Sequence, residues 1–311
     1  MAATVDIFRS LADPTRLRIV NLLRAMELSV GELAQVLGQS QPRVSRHVKI
    51  LIDAGLAERR KEGSWVFLSV GAPERVDPLF DLLDSWSSSD GEDPWLVADL
   101  ARLNAVRADR AAAAEQFFAQ HASEWDELRS LHVAESEVEA AVARALSGTP
   151  VGRLVDIGTG TGRMMALFGR EAVSVLGIDR SPEMLRLARV KLAEAGLGPA
   201  ELRQGDMYAL QLPSASADTV IIHQVLHYAQ QPAAVIAEAA RLLVPGGRLL
   251  IVDFAPHDLE ELRVRDAHAR LGFADEAIIK WMDLAGLKGR VVDHLEGGEL
   301  TVTLWEGVRT E

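Results

Sequence analysis

The chain has 311 residues, 48% of them hydrophobic, enough to bury ordinary cores and to form about two domains. It has no cysteine, which excludes disulfides and thiolate chemistry; it has no apolar run near the ~18 residues of a membrane span, and Asp6 and Arg9 interrupt any leader-like stretch, so a cytoplasmic protein is expected. The net charge of −12 is unevenly spread: residues 1–72 carry ten Lys/Arg against seven Asp/Glu (+3), the remainder 23 against 38 (−15), so any nucleic-acid contact belongs to the first part.

Apolar periodicity predicts helices over 4–12 and 14–26, the second opened by Asp13-Pro14 and striped by Leu17, Val20, Leu22 and Leu23. Ser29 and Glu32 have capping-box spacing and start a short helix that ends near Gly38. Ser40 is expected to cap the next helix, where Pro42 is tolerated because first-turn N–H groups lack intrahelical partners. Val44, Val48 and Leu51 form that helix's apolar face, and "LAERRKEGSWVFLSV" reads as two strands around a turn at Gly63. "SSSDGEDP" (87–94) has linker composition. Asp93-Pro94 then opens a long helix, with Leu96, Leu100 and Leu103 on one face, that runs to about residue 120.

From residue 150 strands alternate with helices: "GRLVDIG", "VSVLGID", "AELRQGDM", "ADTVIIHQ" and "GGRLLIVDF". That alternation predicts a mostly parallel sheet with helices on both faces. At the end, "GRVVDHLE" and "ELTVTLWEGV" read as an antiparallel hairpin across Gly297-Gly298. The division expected is 1–86, a connecting stretch 87–120, and 121–311.

Two short helices joined at "LGQS", the second polar and followed by a hairpin, form a winged helix-turn-helix pattern. Through "LADPTRLRIVNLL", "SQPRVSRHVKIL" and "AGLAERRKEGSWVFL", residues 4–72 resemble the ArsR/SmtB-type regulators. The resemblance makes Ser40 to Lys49 the recognition helix. Ser40, Gln41, Arg43, Ser45, Arg46 and Lys49 become candidates for base edges and phosphates, with Arg60, Lys61 and Ser64 on the wing. It also implies operator DNA as partner and a homodimer built from the first helix and the one after the wing. The family's metal sensors carry cysteines where "ELSVGEL" has Ser29 and Gly31, and the helix after the wing, "ERVDPLFDLLDSW", has no histidine. A metal effector is therefore not expected.

"VDIGTGTGR" (155–163) places an acidic strand end before glycines at 158, 160 and 162, which lets a ligand approach the backbone closely. A dinucleotide loop needs its third glycine where Arg163 stands, and Asp156 suits a cationic ligand better than a pyrophosphate. Asp179, 21 residues after Gly158, is placed to accept from ribose hydroxyls of either cofactor. With "QGDM" and "ADTVIIHQVLHY" where the third and fourth strands end, residues 115–311 resemble class I S-adenosylmethionine-dependent methyltransferases. That resemblance sets Asp156, Gly158, Thr159, Gly160 and Gly162 against the methionine part and Asp179 against the ribose. It puts Arg180, Met184, Asp206 and Met207 at the adenine, and His223 after the fourth strand.

The fold class implied is an α+β winged helix-turn-helix domain, a helical linker, and an α/β Rossmann-like methyltransferase domain with an antiparallel C-terminal hairpin. Methyl transfer rests largely on positioning, with a base needed only where the acceptor must lose a proton. Candidates at strand ends are Gln224, His227, Tyr228, Asp253, His257, Asp258 and His268, while Trp125 in "FFAQHASEWDELR" resembles a lid residue. The favoured reading is a DNA-binding regulator fused to a small-molecule methyltransferase using S-adenosylmethionine. The alternative is a repressor that senses S-adenosylmethionine or S-adenosylhomocysteine without turnover. A DNA methyltransferase is disfavoured by the acidic second part and by "IIHQVLHY" in place of a D/N-P-P-Y/F motif.

Overall fold

Capping and apolar periodicity set the helices of the first part of the chain, and the second part is organised by its sheet. The computed structural model describes residues 2–62, 65–90, 94–121, 134–197, 200–296 and 299–310. It divides into two units, residues 1–112 and 113–311.

The first unit opens with α1 (Ala2–Leu11) and α2 (Pro14–Ala25). The Asp13 side chain caps α2 by accepting from the N–H groups of Thr15 and Arg16. After the short strand β1 (Leu28–Ser29), Ser29 and Glu32 form the expected capping box on α3 (Val30–Leu37), and Gly38 ends it in the left-handed region at φ 65°. Helix α4 (Gln41–Asp53) follows, with Ser40 at its N-cap but without the expected side-chain capping bond. The reason is local: Pro42 in the first turn removes one N–H that a cap takes, and the Arg43 N–H donates to the Ser40 carbonyl instead. Strands β2 (Ala57–Glu62) and β3 (Trp65–Val70) pair antiparallel as predicted, and β1 adds to the other edge of β3.

Helix α5 (Pro73–Asp90) continues through serines assigned above to a linker, and α6 covers Pro94–His121. Ile19, Val20, Leu22, Leu33, Val44, Val48, Leu51 and Leu68 form the core with Leu103 and Val106 of α6. Of the predicted Leu96–Leu100–Leu103 face, Leu103 is buried in the core and Leu100 is not. Leu100 is 41% exposed, and the buried stripe is Asp99, Leu103 and Val106. Asp99 takes a core position because Arg18 of α2 grips it with two bonds of 2.6 Å.

The second unit contains α7 (Glu135–Leu146), β4 (Gly152–Ile157), α8 (Arg163–Phe168), β5 (Ala172–Asp179), α9 (Pro182–Glu194), β6 (Glu201–Gln204) and β7 (Ala217–His223). It continues with α10 (Pro232–Leu242), β8 (Leu243–Phe254), α11 (Glu261–Arg265), α12 (Asp275–Leu284), β9 (Leu287–Glu296) and β10 (Thr301–Arg309). The seven strands lie in the order β6-β5-β4-β7-β8-β10-β9. Strands β4 to β8 are parallel, and β10 runs antiparallel to both β8 and β9. The predicted hairpin therefore inserts its second strand into the sheet and leaves its first at the edge. Val220, Ile221 and Ile222 are buried in succession, as a strand covered on both faces requires. Buried Arg248 of β8 donates to the carbonyls of Leu146 and Thr149, satisfying the C-terminal end of α7.

Candidate functional site

Strand β4 is flanked by β5 on one side and β7 on the other, so the chain's winding reverses there. In an open α/β sheet the crevice at that point, beyond the carboxyl ends of the strands, is where ligands bind. The loop after β4 occupies it. Gly158, Gly160 and Gly162 all have left-handed φ, at 70°, 53° and 82°. The Gly158 and Thr159 N–H groups donate to the Ile178 carbonyl at 2.8 and 2.9 Å, tying the loop to the end of β5. Asp156 is buried and its Oδ2 accepts from the Thr159 hydroxyl at 2.6 Å.

Asp179 ends the neighbouring strand. Its Oδ2 accepts from the Gly160 N–H and its Oδ1 from the Ser181 N–H, both at 2.8 Å. Burial pushes its carboxyl above the usual aspartate range, although backbone N–H groups of Ser181, Gly160 and Arg180 oppose the shift. Two acidic side chains thus stand at adjacent strand ends around a loop of left-handed glycines. That donor set fits a ligand with a cationic end and vicinal hydroxyls. It does not fit a pyrophosphate: α8 has only six residues, and Arg163 is held by Glu139 at 2.5 Å.

The glycines also serve packing. A Cβ on Gly158 meets Val225 Cγ2 at 2.5 Å, and one on Gly162 lies 3.3 Å from the Ala188 Cβ. Gly158→Ala is accordingly expected to cost about 2–4 kcal/mol, from left-handed strain and overpacking together. Gly246→Ala, at φ 75° with nothing within 4 Å, supplies the control that carries only the strain. Thermal unfolding of the two variants side by side checks the difference; equal losses overturn the packing account.

The remaining cofactor candidates distribute around this loop. Arg180 is exposed and its carbonyl accepts from Gln204 at 3.0 Å, whereas Met184 is 1% exposed, in the first turn of α9. Asp206 is exposed and accepts from the Tyr208 N–H, Met207 packs partly on the core, and His223 is buried at the end of β7. Gln224 follows at φ 49°, a non-glycine residue in the left-handed region, and its N–H donates to the Val252 carbonyl at 2.7 Å.

Three of the catalytic candidates come together. The His227 ring lies 4.1 Å from that of Tyr228 and 4.2 Å from that of His268, and Phe254 stands between His268 and His257. His227 Nδ1 lies 2.8 Å from Oδ1 of Asp253, which is fully buried at the end of β8. Tyr228 is held protonated far above its ordinary range by burial, with Asp266 and Asp253 adding to the effect. The segment 255–272 folds over this cluster, since the Ala269 and Arg270 N–H groups donate to the His227 carbonyl. The Asp258 carbonyl accepts from the Glu260 N–H. Trp125 lies outside the described residues. The His227–Asp253 pairing, 26 residues apart, has no signature in the sequence, and only its position at two strand ends hinted at it.

In the first unit, Ser40, Gln41, Arg43, Arg46 and Lys49 are exposed on α4, with Ser45 half-buried beside them. Among the described residues Arg43, Arg46 and Lys49 form no ion pair, whereas Arg16, Arg18 and Arg24 on α2 all do. Lys61 is exposed on β2; the side chain of Arg60 and all of Ser64 lie outside the described residues. Exposed cations outside ion pairs on a helix-turn-helix are what phosphate and base contacts need.

Residues 13–59 match the family described as bacterial regulatory protein, arsR family, and residues 155–251 match a methyltransferase domain. The arsenical resistance operon repressor of Escherichia coli is 40% identical over 103 residues, covering 32% of this chain and 86% of that protein. A phosphatidylethanolamine N-methyltransferase of Cereibacter sphaeroides is 40% identical over 108 residues; these cover 34% of this chain and 53%, about half, of that relative. Among solved structures, a SAM-dependent methyltransferase from Thermotoga maritima, described as a possible histamine N-methyltransferase, superposes with a TM-score of 0.50 at 23% identity. It covers 63% of this chain and 99% of its own.

Proposed function

Because the chain belongs to the arsR family of bacterial regulatory proteins and joins that helix-turn-helix to an S-adenosylmethionine-dependent methyltransferase domain, we propose that it is an operator-binding regulator whose second unit methylates a small molecule. The observation that carries the reading is the pair of strand-end carboxylates, Asp156 and Asp179, around the left-handed glycine loop. Asp156, Gly158, Thr159, Gly160 and Gly162 face the methionine part, and Asp179 takes the ribose. Arg180, Met184, Asp206, Met207 and His223 surround the adenine side. S-adenosylmethionine, when bound, supplies an electrophilic methyl carbon on a sulfonium. The net −15 on residues beyond 72 favours a small acceptor over a nucleic acid.

The regulator half acts as a homodimer in the cytoplasm, where operator DNA is. Val5 and Phe8 on α1 remain exposed, apolar area that a second copy covers in the dimer through the first helix and the helix after the wing. Two recognition helices then reach half-sites about one DNA turn apart. The effector is not a metal at the family's thiolate positions: the Ser29 hydroxyl is committed to the capping box with Glu32 at 2.9 Å, and Gly31 has no side chain.

The test is fluorescence anisotropy of DNA from upstream of the gene, titrated with protein alone, with S-adenosylmethionine and with S-adenosylhomocysteine. Arg43→Ala is expected to weaken DNA binding by about 1–3 kcal/mol, roughly five- to 150-fold, and to leave cofactor affinity unchanged. Equal loss at both sites means misfolding, and unchanged DNA affinity removes α4 from the interface. A tenfold shift with cofactor makes the second unit a sensor as well, and by linkage DNA then alters cofactor affinity equally.

A further inference from the structure

The side chain of His227 is 2% exposed and that of Asp253 is fully buried. Asp253 accepts three N–H groups: from the His227 ring at 2.8 Å, the His227 backbone at 3.1 Å and the Phe254 backbone at 2.8 Å. A carboxylate so surrounded by donors accepts only, which makes Nδ1 a protonated ring nitrogen; in the neutral imidazole Nε2 is then the acceptor. Among the described residues Nε2 is buried and has no hydrogen-bond partner. An unsatisfied buried polar atom costs about 1–3 kcal/mol, so each one calls for an explanation, a catalytic role among them.

Its place in the fold says which ligand. His227 lies four residues beyond the end of β7 and Asp253 near the end of β8, the strand beside it. Both are at the carboxyl edge of the parallel strands, and Val225, two residues before His227, packs on Gly158 of the glycine loop. Gln224 adds a second sign of a prepared site: its left-handed backbone is strained, and its Oε1 is also buried without a partner among the described residues. Two acceptor atoms awaiting donors call for a ligand that brings a proton.

Resting on the methyltransferase reading above, we propose that His227 is the base for methyl transfer to a hydroxyl group, and that Asp253 is its positioning residue. A neutral amine attacks with its lone pair before losing a proton, whereas a hydroxyl oxygen is a poor nucleophile until its proton leaves, so a fixed base points to the hydroxyl. In the step, the acceptor oxygen bonds the methyl carbon as its proton passes to Nε2. The C–S bond breaks with its electron pair left on sulfur. Asp253 then stabilises the imidazolium until the proton returns to solvent. The titratable and charged groups near the ring are Asp253 on Nδ1 and the tilted rings of Tyr228 and His268 at 4.1 and 4.2 Å; on the covering segment Asp266 acts on Tyr228, and the Arg270 N–H donates to the His227 carbonyl.

The experiment uses the full chain with nitrogen-15-labelled histidine and phenol as the probe, against anisole, which has the same ring but no hydroxyl proton. Expected are a protonated Nδ1 and a bare Nε2 for His227 at neutral pH, and a phenol titration that moves the Nε2 resonance while anisole leaves it in place. Asp253→Asn is expected to abolish the single-tautomer signature. His227→Gln is expected to keep S-adenosylmethionine affinity within twofold of wild type by calorimetry. With any phenol found to be methylated, it is expected to lose transfer by about 10²–10⁴-fold. A protonated Nε2 in the wild type, equal responses to phenol and anisole, or a response to butylamine alone each overturns the proposal. Wild-type protein that does not bind S-adenosylmethionine overturns the methyltransferase reading instead, and calorimetry separates the two failures.

Discussion

Arg18→Met is expected to destabilise the first unit by about 2–3 kcal/mol, among the largest losses available outside its apolar core. Asp99 is 1% exposed, and Arg18 meets it with two bonds of 2.6 Å while its guanidinium lies 5.0 Å from the Trp95 ring. Removing the arginine leaves a buried carboxylate whose remaining cation, Arg102, sits at 3.3 Å on one oxygen. That contact keeps the loss below the value for a wholly orphaned charge. Asp99→Leu is expected to cost less, about 1 kcal/mol, because Arg18 is still 16% exposed and its long stem can carry the charge to water. The double variant Arg18→Met/Asp99→Leu is expected to recover most of the loss, since burying apolar side chains replaces a desolvated pair. Urea unfolding of the four proteins measures this. A single Arg18→Met variant within about 0.5 kcal/mol of wild type removes the pair from the account of what fixes α6 to α2.

That pair also shows what the sequence could not display. Arg18 and Asp99 are 81 residues apart, and an aspartate in a helix is read as facing water, so the sequence puts Leu100 on the α6 stripe where Asp99 stands. Periodicity works where the buried residues are apolar, as for Val44, Val48 and Leu51, all at 0% exposure. It fails where a charge is buried by a distant partner. Capping was legible at Ser29 and Glu32, because both groups belong to one turn, and illegible at Ser40, where Pro42 redirects the bonding. Helix α7 was readable and passed over: Val138, Ala141, Val142 and Leu146 have helical spacing and are all buried. In the second unit the alternation of strands and helices and the glycine loop follow from pattern, and the order of the strands in the sheet does not. The reason for Gly158 did not, since Val225 fills the space its side chain would take, and that neighbour comes from another strand end. His227 and Asp253 were each visible as strand-end residues, and only folding brings them to 2.8 Å.

Asp179→Ala is expected to weaken S-adenosylmethionine binding by about 2–3 kcal/mol, roughly 30- to 150-fold in Kd, while DNA affinity stays as it is. The Asp179 oxygens accept the Gly160 and Ser181 N–H groups, with the Arg180 N–H also favouring the charged form, and a carboxylate has about four acceptor sites in all. The acceptor capacity that remains on the ionised carboxylate suits the ribose hydroxyls, and the backbone donors fix the carboxylate before the ligand arrives. The same geometry sets a pH dependence. Burial raises the Asp179 carboxyl above the ordinary range, so the folded protein takes up its proton at a higher pH than the unfolded chain does. Ionisation therefore costs stability as pH rises through the raised value, a cost that the hydroxyls offset when they bind the charged form. Cofactor affinity should fall as pH drops through that value, beginning above the usual carboxylate window, because a protonated Asp179 loses an acceptor. Calorimetric titrations from about pH 7.5 down to about pH 5 are expected to show wild-type affinity declining toward acid and the Asp179→Ala affinity low and nearly flat. If the variant binds as tightly as wild type, the ribose lies elsewhere; if both decline in parallel, another carboxylate titrates, and Asp156, buried across the loop, is the one to replace next.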